Sequence, residues 1–188
     1  MIEHLTNFIR SIMSQYVDLV KDTPFPKEII RDIRNFAYQK GFPIDDRFEA
    51  LVKSACCSEK SEDFLTGICI PVSRLISVYM ESVHGIKVEE WEMCYYHPEQ
   101  DDIEHQVHRM IKVDNRYYDL FFPEGIEDPS LHPLWQEDKF SDEVFVMVPI
   151  SNCFDNKFEM SENLSLYKWL CSFIPEGIDP SPIRTLLY

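Results

Sequence analysis

An α+β fold is the architecture this sequence predicts, with helices first and a mostly antiparallel sheet after them. Two observations lead there. Apolar residues recur at helical spacing through the first third of the chain and again beyond residue 69. The period then changes to two, in short runs separated by turn residues. With 188 residues and 45% apolar residues, the chain is long enough for one domain with a sizeable core. We read 1–188 as that single domain: a helical N-terminal part over 1–65, a cysteine-bearing helix and sheet core over 66–150, and a C-terminal helix and tail over 151–188.

The first helix is expected over 1–21, where Leu5, Phe8, Ile9, Ile12, Met13, Tyr16, Leu19 and Val20 share a face. Thr23-Pro24-Phe25-Pro26 breaks it. A second helix is expected over 27–40, stopped by Gly41, and a third is capped by Asp45 and runs to about Cys57. Next comes Gly67-Ile68-Cys69-Ile70-Pro71. Val72, Leu75, Ile76, Tyr79, Met80 and Val83 then repeat as one buried helix face. A proline fits only the first turn of such a helix, which places Cys69 at or beside its N-terminus. Gly85 ends it as a C-cap.

Strands are expected over 86–96, 105–113, 116–122 and 143–150, with an acidic loop over 98–104 and a last helix over 163–173. Asp114-Asn115 suits a two-residue hairpin turn, with Asn115 tolerating a positive φ. That turn sets a register: 113 faces 116, 112 faces 117, and 110 faces 119. His108 then shares a sheet face with Met110 and Asp119, as a diagonal neighbour of Asp119 at roughly 7–8 Å between backbones. His105 has the opposite parity and points away if its strand is regular; a one-residue bulge would reverse the choice.

Cys69, His108 and Asp119 are the residue types a thiol-based acyl transfer needs. A free thiol, with a pKa of about 8.5, is mostly protonated at neutral pH, and a helix N-terminus lowers that value. A histidine beside the sulfur takes its proton and returns it to the leaving group. A carboxylate behind the histidine fixes its tautomer and supports the imidazolium. N–H groups near Cys69 would contribute to an oxyanion hole. Taken alone, each residue has a plainer role: a small buried thiol, a structural histidine, a solvated aspartate.

Gly67-x-Cys69 opening a helix, with Gly85-Ile86-Lys87-Val88 after it, resembles the cysteine region of the transglutaminase-like superfamily, a branch of the papain-like enzymes. His108-Arg-Met-Ile-Lys-Val-Asp114-Asn115-Arg-Tyr-Tyr-Asp119 is similar to that superfamily's histidine hairpin. The resemblance covers residues 66–122 and is one of pattern. Met110 stands where the family often carries an aromatic, and Asn115 where the turn is often glycine. The resemblance implies a papain-like fold with Cys69 as nucleophile, His108 as general base and acid, and Asp119 as the orienting carboxylate. The implied activity is cysteine-dependent acyl transfer, with hydrolysis of an amide or isopeptide bond, as in a peptidase or amidase, as the default. No cofactor is required. The family also includes inactive members.

The formal net charge of −15 repels phosphate backbones and anionic membrane surfaces, so neither nucleic acid nor membrane is an expected partner. The expected partner is a protein or peptide-like amide, and a basic protein surface suits the charge. No basic region leads into an apolar run at the start, and no stretch approaches the roughly 20 apolar residues of a membrane span. We therefore expect a cytoplasmic protein whose six cysteines are reduced thiols. Two other readings stay open. One is an acidic adaptor or inhibitor on an inactive version of the fold. The other is a metal-dependent hydrolase using His97, Asp101, Asp102, Glu104, His105 and His108. Ser73, one turn after Cys69, lines a pocket or packs; Trp135 lines a cleft or enters the core.

Overall fold

A computed structural model describes residues 2–20, 38–39, 41, 45–46, 48, 50, 68–99, 102–132, 134–135, 144–150 and 164–184. The order of elements is α1 (Ile2–Val20), α2 (Cys69–His84), β1 (Glu89–His97), β2 (Asp102–Val113), β3 (Arg116–Tyr118), a 3-10 turn (Pro129–Leu131), β4 (Val144–Pro149), α3 (Leu164–Cys171) and α4 (Ser181–Arg184). The four strands form one antiparallel half-barrel sheet in the order β3-β2-β1-β4. The architecture is therefore α+β.

Helix α1 buries Leu5, Phe8, Ile9, Ile12, Met13 and Tyr16, while Leu19, expected on the same face, is exposed. The second expected helix, 27–40, lies outside the described residues except at Tyr38 and Gln39, which are helical. Asp45 does cap a helical turn: the Phe48 N–H donates to its Oδ1 at 3.2 Å, and Asp46, Phe48 and Ala50 are helical. The stretch from there toward Cys57 lies outside the described residues.

Helix α2 starts at Cys69 and holds Pro71 in its first turn, where the missing N–H costs nothing. Gly85 closes it with φ 67°, and its N–H donates to the Glu81 carbonyl. The apolar stripe is buried at Val72, Leu75, Ile76 and Met80, but Val83, at its far end, is exposed. Ser73, Ser77 and Val78 are buried as well, so α2 is covered on more than its apolar stripe. It packs with α1, α3 and the inner face of β2, where Ile111 and Val113 join the core.

The β2–β3 hairpin has the register the turn dictates: Val113 faces Arg116, Lys112 faces Tyr117 and Ile111 faces Tyr118. The positive φ falls on Asp114 (54°), not on Asn115 as expected. Aspartate tolerates the left-handed region for the same reason asparagine does, a short side chain that bonds its own backbone. Strand β3 stops at Tyr118 rather than residue 122. There the Asp119 carboxylate takes over, accepting the Phe121 and Phe122 N–H groups at 2.9 and 2.6 Å on Oδ1 and turning the chain. The chain then returns to bridge Tyr117 with Ile126.

Strand β2 begins at Asp102, three residues before the expected start, because His97 pairs with Asp102. Register shifts between Met93 and Cys94, and again between Cys94 and Tyr95, mark bulges in β2 on the far side of His108. Pairing is uninterrupted from Lys112 back to His108, so the turn still fixes the face of His108. Parity no longer says where His105 points, since the strand is not regular between them.

Beside the site, Arg109 on β2 is buried and paired with Glu92, its Nε donating to Glu92 Oε1 at 3.0 Å, and lies 3.6 Å from Glu90. Arg74 of α2 joins them, donating to Glu90 and to the Pro182 carbonyl at 3.2 Å each. This network ties α2 and α4 to the central strands. Among the described residues, no helix is long and apolar enough to cross a membrane.

Candidate active site

Three elements converge at the start of α2. The helix start supplies Cys69, partly buried; β2 supplies His108; the residue just past β3 supplies Asp119. His108 and Asp119 are both buried. Asp119 Oδ2 lies 2.6 Å from His108 Nε2. The same imidazole lines one small cavity with Cys69 and acts on its thiol, lowering the thiol's pKa. The Arg109 main chain also acts to lower the thiol's pKa. Ser73 is buried and donates to the Arg109 carbonyl at 3.4 Å, fastening the first turn of α2 to β2.

A fourth residue completes the site. His132 is fully buried, follows the 3-10 turn, and sets its Nε2 2.9 Å from the same Asp119 Oδ2. Its Nδ1 accepts the Leu134 N–H at 3.1 Å. A ring nitrogen that accepts carries no proton, so the proton sits on Nε2 and points at Asp119. The His108 and His132 rings are tilted by 31° with centroids 4.7 Å apart. Asp119 thus receives four N–H donors, two on each oxygen.

The electrostatics follow. Burial disfavours the Asp119 anion, but the neighbouring histidines and their hydrogen bonds outweigh it and hold the carboxyl far below its usual range. Burial also disfavours the His108 cation. The hydrogen bonds to Asp119 and Cys69 win, and its pKa is raised from 6.5 to about 10. Burial would raise the Cys69 thiol; the His108 side chain and charge, then the Arg109 main chain, pull it below its ordinary value. Burial keeps His132 neutral: its pKa is lowered, and the attraction of Asp119 does not compensate. These shifts favour the Cys69 thiolate and the His108 imidazolium, over a carboxylate also bound by a neutral imidazole.

His108, Asp119 and His132 bring ligand atoms within 4.8 Å of one another, a spacing that suits a metal. The hydrogen bonds argue otherwise. A metal-bound histidine ordinarily donates from its second nitrogen; His132 accepts there, from Leu134, and so presents N–H rather than a lone pair. Of the acidic cluster near His97, Asp101 lies outside the described residues, as do the side chains of Asp102, Glu104 and His105. His108 is committed to Asp119.

A cavity of about 20 Å³ adjoins the sulfur, bounded by Cys69, His108, Val72, Phe121 and, from α1, Met13 and Tyr16. That is room for about one water. Trp135 is half-buried against Phe145, with ring centroids 5.4 Å apart. Cys69, Cys94 and Cys171 are free thiols, while Cys56, Cys57 and Cys153 lie outside the described residues.

Sequence reasoning did not find His132. It has no periodic pattern around it and sits in a turn between Leu131 and Pro133. Comparison with known protein families, curated proteins and solved structures returned no match.

Proposed function

We propose that the protein is a cysteine-dependent acyl-transfer enzyme, most simply a hydrolase of an amide or isopeptide bond, on a papain-like, transglutaminase-like arrangement. The observation that carries this reading is the placement of Cys69, at the start of α2, on one small cavity with the buried His108–Asp119 pair, whose Nε2 and Oδ2 stand 2.6 Å apart. A partly buried thiol beside a buried imidazole–carboxylate pair supplies nucleophile, proton carrier and orienting anion.

In this reading the Cys69 thiolate attacks the amide carbon and forms a C–S bond. His108 passes its proton to the departing amine nitrogen as the C–N bond breaks, leaving a thioester. Neutral His108 then takes a proton from water as the hydroxide oxygen attacks the thioester. The acid departs and the sulfur regains the resting pair. A primary amine in place of water gives transfer instead.

The test is to mix the protein with p-nitrophenyl acetate and follow its intact mass. The expected result is one acetyl group on Cys69, lost on standing in water and absent in Cys69→Ser. Acetylation spread over Cys94 and Cys171 with none on Cys69 would overturn the reading.

A further inference from the structure

We propose that His132 is a positioning residue of this site: its Nε2–H holds Asp119 Oδ2 in the orientation that aligns His108 with Cys69. The inference rests on the proposed acyl-transfer function but assigns a role which that chemistry does not itself require.

A carboxylate with one imidazole partner can rotate about its own bond and carry that imidazole with it. Here rotation is blocked on both sides. Oδ1 is held by the Phe121 and Phe122 N–H groups, and Oδ2 by two ring N–H groups. His132 can serve only as a donor, because Leu134 fixes its tautomer from the other side. The fixing is local in sequence: the Leu134 N–H lies two residues past the ring it bonds, and the His132 N–H in turn donates to the Pro129 carbonyl at 2.9 Å. The ring is fully buried, so no water replaces the bond if it is removed. A purely space-filling ring would need neither the Leu134 contact nor the aim at Oδ2.

The experiment measures Cys69 alkylation by iodoacetamide against pH in wild type, His132→Phe, His132→Gln and His108→Ala. Phenylalanine keeps the ring and removes the donor; glutamine keeps an N–H at nearly the same reach. We expect His132→Phe to raise the apparent Cys69 pKa by about one unit, a tenfold loss of thiolate on the acid side. His132→Gln should restore most of it. A His132→Phe profile equal to wild type, or a folded His132→Gln as impaired as His132→Phe, overturns the role. If His108→Ala also leaves the profile unchanged, it is the acyl-transfer reading that fails; if only His132→Phe does, that reading stands without this residue. Should His132→Phe not fold, nitrogen NMR of the wild-type ring decides. Nε2 protonated and Nδ1 bare between about pH 5 and 8 supports the role, and any other tautomer overturns it.

Discussion

His108 Nε2 and Asp119 Oδ2 stand 2.6 Å apart across the β2–β3 hairpin, both buried. Their coupling makes stability depend on pH in a definite direction. The folded pKa of His108 is raised from 6.5 to about 10, so its contribution is complete below 6.5 and fades as pH rises toward 10. Asp119 is lowered from 3.8, so its contribution is complete above 3.8 and is lost as pH falls through its folded value. Urea unfolding of wild type and His108→Phe should therefore differ more at about pH 6 than at about pH 10. A difference that grows with pH would contradict the assignment.

Arg109 is predicted to matter for folding more than its exposure to chemistry suggests. It is the buried cation between Glu92 and Glu90. Arg109→Leu strands Glu92 without its partner and should cost about 3–5 kcal/mol in denaturant unfolding. The double variant Arg109→Leu, Glu92→Leu should recover much of that. No recovery would mean the pair is not the reason.

Gly125 should not accept alanine. Its φ is 73°, and a Cβ there would fall 2.6 Å from the ring of the fully buried Tyr118. Strain and overpacking together predict a loss of about 2–4 kcal/mol for Gly125→Ala. A thermal melt unchanged from wild type would contradict the close approach.

Met13 reaches from α1 to the cavity beside Cys69. Met13→Ala should cost about 2–5 kcal/mol through the enlarged void. It should also speed alkylation of Cys69 relative to Cys171, since the reagent gains room on the α1 side. A slower reaction at Cys69 would show that α1 does not bound the approach.

How much of this was legible in the sequence depends on how local each determinant is. The helix that begins at Cys69 and ends at Gly85 could be read because Pro71, the apolar stripe and the glycine all act within one element. The meeting of His108 with Asp119 could be read because a two-residue turn fixes register, and register fixes faces. The β2 bulges were not legible, since nothing in Glu104–Val107 marks the extra residues. The early end of β3 has its cause in Asp119 itself, whose turn-forming bonds compete with the ladder. His132 was beyond reach for a different reason: its place is set by a loop closing over the hairpin, a contact no local pattern encodes.

Whether His108 holds Cys69 as a thiolate can be read from the pH dependence of iodoacetamide alkylation, followed cysteine by cysteine by mass spectrometry in wild type and His108→Ala. Cys69 should react with an apparent pKa below that of a free thiol, and His108→Ala should remove the effect. Reaction of Cys69 no faster than Cys94 and Cys171, with an ordinary thiol profile in both proteins, would contradict it.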